Sequence, residues 1–550
     1  MISRLRSKLA KTTFNEETKI WRGEIVETVF GAQDSVGSAA ITALLKDPDH
    51  IAQICYPSGK EYTNREIATL SIRVALNLQK LNVVQLDVIG LCAANSDFVA
   101  PLTFGALLCG LSISTLDPSF DKRGIAHAYA ITRPKIMFCD GEIYDKVKDA
   151  LEECKLSSTI IYTVSKHIDK VPTLMELMKS TEGENEFKAP VLQDGCNQVA
   201  MILCSSGTTG LPKGVTMSHA SILNAKKFEM LPTDKFLCFS TLYWLTGLVT
   251  LVHGTINGLT RVISNRPYSP DDFFDIVECY KVNIVLSPPS QIAMTLTSKR
   301  IYESDLSSID LYMAGGSAVP YSLVKKFKQF ASNATFVTGY GMSEVCNWVA
   351  YHEMDAKDSV GPLGNNIEVK IINDDDHNLT ANEVGEVCIR TLHPWAGYFN
   401  NHVATSSMYD EDCWIHSGDV GYFDFDGNLY IIDRKKDILK YNNFHFYPTE
   451  IEKVIMELSD VVEVCVVGIS DIIYTHLPAA AVVKLPQSNL TEQIVCNHVA
   501  NSMQHFEQLR GGVYFFDSLP RTISGKTLRR EATKICENIH GNNLYSRNIQ

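Results

Sequence analysis

Apolar runs alternate with stretches of helical periodicity between residues 27 and 195. The runs at residues 88–92 and 135–139 are short and almost wholly apolar, as expected of buried strands. Residues 67–78, by contrast, repeat apolar side chains at the spacing of an amphipathic helix. Alternation of strands with helices predicts an α/β fold whose sheets are largely parallel.

The pattern changes near the C-terminus, where residues 437–550 indicate a small α+β unit. Thr449 and Glu452 have the spacing of a capping box, and apolar residues follow them at helical spacing. Further elements are predicted as strands at residues 461–467, 479–485 and 513–516 and a helix at residues 491–503. The join between the two units falls around residues 433–436.

One apolar segment reaches the length of a membrane span. Residues 98–116 carry no charge and are bracketed by Asp97 and Asp117. The segment contains a proline, two glycines and four hydroxyl residues. This composition favours a buried helix followed by a strand, and we expect no transmembrane segment.

A second apolar run, at residues 199–204, leads into a loop rich in glycine and hydroxyl side chains. Glycine lets the backbone approach a ligand closely, and hydroxyl and N–H groups donate to anionic oxygens. Lys213 adds a positive charge, so the loop suits a nucleoside triphosphate; the alternative is a Ser/Gly surface turn. Pro212 and Gly214 flank the lysine, so the Walker pattern is not matched. The loop residues predicted to bind phosphate are Ser205, Ser206, Gly207, Thr208, Thr209 and Gly210.

The stretch SSGTTGLPKG at residues 205–214 resembles the signature loop of the adenylate-forming superfamily. That superfamily contains acyl-CoA synthetases, 4-coumarate:CoA ligases, beetle luciferases and peptide-synthetase adenylation domains. The resemblance extends over nearly the whole chain. It implies a large N-terminal AMP-binding domain of αβ-layered sheets at residues 1–433 and a mobile C-terminal domain at residues 437–550. The hinge between them is expected near Lys436.

Residues 338–344, TGYGMSE, resemble the superfamily motif that follows a strand at the nucleotide pocket. The resemblance implies that Tyr340 and Gly341 border adenine, that Ser343 reaches the α-phosphate and that Glu344 coordinates Mg²⁺. The residues themselves support the metal, since a carboxylate beside phosphates is repulsive unless a hard cation lies between them.

Two other segments match the superfamily at the nucleotide site. Gly315, Gly316 and Ser317 resemble a loop that lines the adenine and acyl pocket, although a Gly-Gly turn by itself is more often only a turn. Asp419 resembles the carboxylate that accepts hydrogen bonds from both ribose hydroxyls. Arg434 matches a second ribose contact, which disfavours the alternative that Asp419 is merely a solvated loop residue.

Two lysines are implied to be catalytic. Lys526, in PRTISGK at residues 520–526, resembles the lysine that bridges the substrate carboxylate and the α-phosphate during adenylation. Lys440 matches the position that enters the site after the small domain rotates about Lys436. Relatives usually carry Lys-Gly where this chain has Asn442 and Asn443, which leaves access of CoA open.

The predicted acid pocket contains Trp244, Leu245 and Gly247. Trp244 and the apolar residues Leu245, Leu248 and Val249 favour an apolar or aromatic acid. Trp244 stands where luciferases and coumarate ligases generally have a pocket histidine. Ala225 stands where luciferases have an arginine. Both differences count against light emission.

The resemblance therefore implies an ATP-dependent acyl-CoA synthetase, with Mg²⁺ as cofactor, whose small-molecule partners are ATP, CoA and a fatty or aromatic carboxylic acid of open chain length. One alternative is a luciferase-type monooxygenase, which shares the adenylation step. Another is an adenylate-binding protein without thioester activity, which we expect to have lost Lys526, Glu344 or Asp419, and all three are present. Peptide-synthetase adenylation is disfavoured because residues 242–245 offer no acidic partner for an amino group.

Composition narrows these possibilities. A single core stops growing near ~250–300 residues, so 550 residues with 45% apolar content predict at least two domains. The net charge of −13 argues against a nucleic-acid partner. Fifteen cysteines, scattered singly, predict reduced thiols of an intracellular protein.

The chain ends predict a cytoplasmic or organellar location. Residues 547–550 do not form an SKL-type peroxisomal signal. Residues 4–11 form a weak basic segment, for which a frayed terminus is favoured and a mitochondrial presequence is the alternative. The sequence leaves the oligomeric state open.

Overall fold

The computed structural model describes residues 11–205, 213–225, 230–354, 359–441, 444–471, 473–521 and 527–547. Its strands, in chain order, are β1 (Thr13–Asn15), β2 (Ile20–Arg22), β3 (Ile51–Tyr56), β4 (Lys60–Thr63), β5 (Val88–Cys92), β6 (Ser112–Leu116), β7 (Ile136–Cys139), β8 (Ile160–Thr163), β9 (Val199–Ser205), β10 (Lys213–Ser218), β11 (Lys235–Leu237), β12 (Thr260–Ser264), β13 (Ile284–Ser287), β14 (Leu311–Ala314), β15 (Thr335–Met342), β16 (Asn347–Glu353), β17 (Ile367–Ile372), β18 (Gly385–Thr391), β19 (Ile415–Phe423), β20 (Leu429–Arg434), β21 (Leu439–Tyr441), β22 (Phe444–Phe446), β23 (Val461–Asp471), β24 (Thr475–Lys484) and β25 (Val513–Phe515).

The α-helices are α1 (Val36–Leu44), α2 (Asn64–Gln79), α3 (Val99–Leu108), α4 (Lys122–Thr132), α5 (Tyr144–Glu153), α6 (Leu174–Leu177), α7 (His219–Leu223), α8 (Leu245–Ile256), α9 (Pro270–Tyr280), α10 (Pro289–Thr297), α11 (Tyr321–Phe327), α12 (His402–Ser406), α13 (Pro448–Met456), α14 (Glu492–Ser502) and α15 (Arg529–Arg547). Short 3₁₀ turns occupy Gly141–Ile143, Gly195–Asn197, Lys299–Tyr302 and Ser343–Val345.

Sheet 1 has the strand order β10-β9-β6-β5-β7-β8, and its pairs are parallel except for β9 with β10. The predicted strands are β5 and β7, and the predicted helix is α2, so the α/β prediction is confirmed. Helix α2 begins where the sequence favours it, because Thr63 Oγ1 accepts the Glu66 N–H at 3.2 Å and Glu66 accepts the Thr63 N–H at 2.8 Å.

Sheet 2 has the order β16-β15-β14-β13-β11-β12-β3-β4. Its inner pairs are parallel, and its two edge pairs, β16 with β15 and β3 with β4, are antiparallel. The carboxyl ends of β13, β14 and β15 therefore meet at one edge, where open α/β sheets bind ligands.

Sheet 3, in the order β1-β2-β17-β18-β19-β20, is antiparallel throughout. The sequence pattern did not predict it, so the expectation of largely parallel sheets holds only for sheets 1 and 2. Sheet 3 is important for the site because its last two strands bring Asp419 opposite Arg434.

The apolar segment at residues 98–116 forms α3 followed by β6, and every residue of both elements is buried. Gly105 allows α3 to pack closely on α2, since a Cβ there would stand 2.6 Å from the Val74 side chain. The prediction of a buried helix and strand is confirmed. Within the described ranges, no helix is long and apolar enough to cross a membrane.

Sheet 4 forms the C-terminal unit, with strand order β22-β21-β24-β23 and β25 parallel to β24. The predicted strands and helix are found as β23, β24, β25 and α14. The hairpin of β21 and β22 and the helix α15 were not predicted.

The capping box predicted at Thr449 and Glu452 is wrong. Helix α13 begins two residues earlier than an N-cap at Thr449 requires, with Pro448 as its first residue, because the fixed φ of proline suits that position. The Thr449 N–H donates instead to Asp433 Oδ2 at 3.0 Å, and Glu452 accepts from Arg529 at 2.5 Å and from the Val466 N–H at 2.8 Å.

The two units are in contact. One apolar cluster runs from the helices on sheet 2 into the core of sheet 4. At this contact, Lys326 Nζ at the end of α11 donates to the Val461 carbonyl oxygen at 2.9 Å. Burial lowers the pKa of Lys326.

Candidate active site

The predicted phosphate loop closes the antiparallel hairpin of β9 and β10 in sheet 1. Ser205, the last residue of β9, pairs with Lys213, the first residue of β10. The two strands therefore bring both ends of the loop together at one edge of sheet 1. The loop residues Ser206, Gly207, Thr208, Thr209 and Gly210 lie outside the described part of the chain, so their role stays a prediction.

Lys213 and Glu344 are linked through Tyr398. The Lys213 ammonium lies 4.7 Å from the centre of the Tyr398 ring, within range of a cation–π interaction. The Tyr398 hydroxyl donates to Glu344 Oε1 at 2.9 Å. Burial raises the pKa of Tyr398, and Glu344 raises it further, so the phenol stays neutral and keeps donating. The structure thus places a cation and a carboxylate, both predicted to act on phosphates, on one buried aromatic residue.

Tyr340, Asp419 and Arg434 form a second cluster. The Tyr340 hydroxyl donates to Asp419 Oδ2 at 2.5 Å, and Arg434 Nε donates to Asp419 Oδ1 at 3.0 Å. The Asp419 side chain is 5% exposed. Its N–H donates to Ser417 Oγ, which donates in turn to the Val387 carbonyl oxygen at 2.6 Å. The carboxylate is therefore held in a fixed position by sheet 3.

This cluster joins two sheets, because Tyr340 lies on β15 of sheet 2 and the other two residues lie on sheet 3. Burial holds the pKa of Tyr340 well above its usual value, and Asp419 adds to the effect. Tyr340 is thus a neutral hydroxyl beside a carboxylate. The structure brings together the three residues expected around adenine and ribose.

The remaining predicted nucleotide residues lie at the carboxyl ends of β14 and β15, which are neighbouring parallel strands. Gly315, Gly316 and Ser317 follow β14, and Gly316 has a φ of +93°, a conformation that favours glycine. Gly341 belongs to β15, and Ser343 and Glu344 lie in the 3₁₀ turn after it. The sequence motif and the strand ends therefore coincide.

Glu344 fits the magnesium ion that the resemblance implies. Mg²⁺ is usually held by one or two carboxylates together with substrate phosphates. One oxygen of Glu344 accepts a hydrogen bond from the Tyr398 hydroxyl, which orients the carboxylate, and the ring of the same tyrosine contacts the Lys213 ammonium. Among the described residues, no group of three or more His, Cys, Asp or Glu side chains could hold a metal by itself.

The residues predicted for the acid pocket lie at the start of α8. Trp244 precedes the helix, and its ring contacts Tyr243 edge to face at 4.4 Å. Leu245 is half-buried in the first turn. Gly247 is buried, and a Cβ there would overlap the Thr241 carbonyl oxygen, so this glycine has a packing role.

The two predicted catalytic lysines have different outcomes. Lys440 lies on β21, exposed, and its carbonyl oxygen is 3.2 Å from His476 Nδ1. Lys436 is exposed in the turn after β20. Lys526 lies outside the described ranges, as do Asn442 and Asn443, so the structure does not place the adenylation lysine or the two asparagines.

Two residues near the site were missed in the sequence. Tyr398 joins Lys213 to Glu344, and Trp348 packs on the strand ends beside Gly315 and Gly339. Neither belongs to a motif. The only sequence signal for them was that each is a large aromatic residue close to a glycine, Tyr398 after Gly397 and Trp348 shortly after Gly341.

The chain matches two family models: AMP-binding enzyme at residues 42–399 and AMP-binding enzyme C-terminal domain at residues 450–526. It is 28% identical over 505 residues to a probable 4-coumarate–CoA ligase 3 of Dictyostelium discoideum, covering 88% of this chain and 92% of that protein.

Two solved structures are also similar. One is a luciferase-like enzyme from the nonluminescent mealworm Zophobas morio, with 27% identity, a TM-score of 0.69 and coverage of 75% of this chain and 98% of that one. The other is the anthranilate CoA ligase AuaEII in complex with anthranoyl-AMP, with 19% identity, a TM-score of 0.83 and coverage of 93% and 99%. The second likeness concerns the fold alone.

Proposed function

The chain belongs to the AMP-binding enzyme family, and from that premise we propose that it is an ATP-dependent acid–CoA ligase. Its substrate is a fatty or aromatic carboxylic acid. Its products are the acyl-CoA thioester, AMP and pyrophosphate. The relative named as a 4-coumarate–CoA ligase supports this reaction class.

The observation that carries the proposal is the arrangement of Tyr340, Arg434 and Asp419 at the strand ends. A buried carboxylate with one neutral and one cationic donor is rigid, and it accepts hydrogen bonds at fixed positions. Ribose hydroxyls are donors of that kind. Tyr340 offers a flat ring for the base, while Glu344 and Lys213 approach the phosphates from the side of Tyr398.

In the first half-reaction, a carboxylate oxygen of the acid attacks the α-phosphorus of ATP, and the bond to pyrophosphate breaks. Lys213 and Lys526 stabilise the negative charge that develops on the phosphoryl oxygens. The Ser343 hydroxyl donates to the α-phosphate. Glu344 would hold the magnesium ion, which when bound would supply neutralisation of the charge on the leaving pyrophosphate.

In the second half-reaction, the thiol sulfur of CoA attacks the acyl carbonyl carbon, its proton is released, and AMP leaves. We propose that Lys440 enters the site for this step, after residues 437–550 rotate about Lys436 against residues 1–433. Lys440 itself is exposed on β21 of sheet 4, which leaves its side chain accessible to another surface.

The alternatives predict different products. A luciferase-type monooxygenase would form an adenylate and emit light with a suitable acid, but Ala225 is a small buried residue where luciferases have arginine. An adenylate-binding protein would release pyrophosphate without forming a thioester.

The test is a panel of fatty and aromatic acids incubated with purified protein, ATP, Mg²⁺ and CoA. Pyrophosphate and CoA thioester are measured separately, with Asp419→Ala as the matched inactive control. We expect both products from at least one acid, and neither at a comparable rate from the control. Pyrophosphate without thioester would support the adenylate-binding alternative, and no pyrophosphate from any acid would overturn the proposal.

A further inference from the structure

Trp348 lies across the carboxyl ends of two strands at the candidate site. It belongs to β16, the edge strand of sheet 2, and pairs with Gly341 of β15. A Cβ added to Gly339 would overlap the indole, and a Cβ added to Gly315 would stand 3.5 Å from its Cη2 atom. The ring therefore spans β15 and reaches the end of β14, and it fits there because both positions are glycine.

The indole is supported from behind. It packs on a buried apolar cluster on one face of sheet 2 and contacts Tyr351 edge to face at 6.5 Å. The buried members of this cluster are Phe236, Cys238, Leu259, Ile284, Leu286, Leu311, Met313, Val337 and Tyr351. Trp348 itself is only half-buried. One part of the ring is thus fixed against a packed core, and another part remains accessible.

The nucleotide residues lie on the opposite side of the same strand. Successive side chains of a strand point to opposite faces, so Tyr340 points away from the face on which Gly339 meets Trp348. Tyr340 reaches Asp419 on its own side. Gly316 follows Gly315, which the indole approaches, and beyond its chain neighbours no described atom lies within 4 Å of the place where a Cβ on Gly316 would stand. Among the described residues, the strand end beside the indole is therefore open at Gly316.

The chemistry of adenylation decides what occupies this space. The attacking and leaving oxygens lie roughly in line, so the body of the acid extends away from the pyrophosphate. The ribose side is taken by Tyr340, Asp419 and Arg434. The other side of the nucleotide site, which remains for the acid, is bordered by the backbone of Gly315 and Gly316 and by the indole of Trp348.

We propose that Trp348 forms the floor of the acid subsite and restricts the enzyme to short-chain or single-ring carboxylic acids. This inference rests on the proposed function and names its substrate class. Because the indole is backed by a packed core, it cannot retreat from a longer tail without straining that core. Its flat face offers a single aromatic ring a favourable contact. Long-chain and fused-ring acids are excluded.

The experiment compares wild type with Trp348→Ala and Trp348→Phe, using butanoate, benzoate, decanoate and 2-naphthoate. The matched control is Phe236→Leu, which loosens the same apolar cluster two strands away from β14. Two quantities are measured for each acid: kcat/KM for pyrophosphate release, and affinity by calorimetry in the presence of a non-hydrolysable ATP analogue. Circular dichroism and thermal melting establish that each variant is folded.

In wild type we expect butanoate and benzoate to be used and decanoate and 2-naphthoate to be poor. Trp348→Ala is expected to raise the ratio of 2-naphthoate to benzoate by at least about tenfold, since even one methylene in an apolar pocket changes specificity about 10–200-fold. Trp348→Phe is expected to give a smaller rise, and Phe236→Leu none.

Three outcomes would overturn the inference: wild type that prefers the large acids, a folded Trp348→Ala whose preference is unchanged, or an equal change in Phe236→Leu. If Trp348→Ala does not fold, Trp348→Phe decides in the same way. If no acid yields pyrophosphate, the proposed function fails, and the calorimetric affinities then decide the inference about Trp348 by the same ratios.

Discussion

The Tyr340 hydroxyl and Asp419 Oδ2 lie 2.5 Å apart, although they belong to different sheets. This hydrogen bond joins the edge of sheet 2 to the last strands of sheet 3 at the place where ATP is expected. Asp419 is already ordered by Arg434 and by the backbone around Ser417. Contacts among the protein's own residues therefore fix the Asp419 carboxylate, and a carboxylate fixed in this way reduces the entropy lost when a ribose binds.

Asp419→Asn is expected to weaken ATP binding by about ten- to a hundredfold, because hydrogen bonds to charged groups contribute ~1.5–3 kcal/mol. The measurement is calorimetric titration with a non-hydrolysable ATP analogue. Tyr340→Phe serves as the matched control, since it keeps the ring and removes only the hydroxyl, and a smaller loss is expected. Equal affinity in Asp419→Asn and wild type would contradict the assignment.

The two lysines are expected to affect different half-reactions. Lys526→Ala should slow acyl-adenylate formation by ~10²–10³, the size of one lost transition-state donor, yet still convert supplied acyl-adenylate to thioester. Lys440→Ala should show the reverse pattern. Single-turnover assays of each step provide the measurement. If both variants lost the same step to the same degree, the proposal of two catalytic faces would be wrong.

Lys436→Pro tests the hinge by itself. Proline fixes φ near −65°, which restricts the rotation that exchanges the two faces. We expect adenylate formation to continue and thioester formation to slow. Lys435→Ala is the control, because it removes a neighbouring charge without restricting the backbone. A proline variant with both steps at the wild-type rate would place the hinge elsewhere.

Stability is expected to depend on pH through His219. This residue is buried, and its Nδ1 accepts the Val36 N–H at 3.1 Å. Burial lowers the pKa of His219 from 6.5 to about 4, so the folded chain keeps it neutral where the unfolded chain protonates it. Its contribution is therefore complete above pH 6.5, falls as the pH decreases towards 4, and amounts to about 3 kcal/mol at most.

Urea unfolding between pH 4 and 8 measures this contribution. His219→Asn keeps an acceptor for Val36 but cannot titrate, so its stability should vary less over that interval. His445→Asn, at an exposed position on β22, is the control and should follow wild type. Parallel pH profiles for wild type and His219→Asn would refute the assignment.

Gly247→Ala is expected to destabilise the fold by about 1–3 kcal/mol, the cost of overpacking, since its Cβ would overlap the Thr241 carbonyl oxygen. Gly541→Ala is the matched control, because outside its own stretch of helix no heavy atom of the described residues lies within 4 Å of that Cβ, and helical alanine is favoured by about 0.5–1 kcal/mol. Unfolding free energies from urea titration distinguish the two. Equal effects would show that the contact with Thr241 is unimportant.

The parts of the site that the sequence predicts are those carried by contiguous motifs. Residues 338–344 form a strand end and a turn, so their order along the chain already places Tyr340 beside Glu344. Strands and helices with clear periodicity, such as β5 and α2, were predicted for a similar reason, because local pattern determines which face is buried.

The missed features depend on distant contacts. Tyr398 donates a hydrogen bond to Glu344, which is 54 residues away in the chain. The indole of Trp348 packs against Gly315 and Gly339, two glycines on neighbouring strands. The false capping box at Thr449 has the same origin, since its N–H is taken by Asp433, which is 16 residues upstream. No local pattern records such contacts. Sheet 3 includes one of them, because β2 pairs with β17 and so joins Arg22 to Glu368, which are far apart in the chain.

The contact between Lys326 and the Val461 carbonyl limits the rate of the proposed domain rotation. A domain that turns once per product must separate this hydrogen bond and reopen the apolar cluster that continues from sheet 2 into sheet 4. Under the proposed rotation, the adenylate would stay bound for the time that this interface takes to separate. An interface of this kind would protect a water-sensitive intermediate by excluding water from it. The slow separation of the interface would also lower the maximal turnover rate.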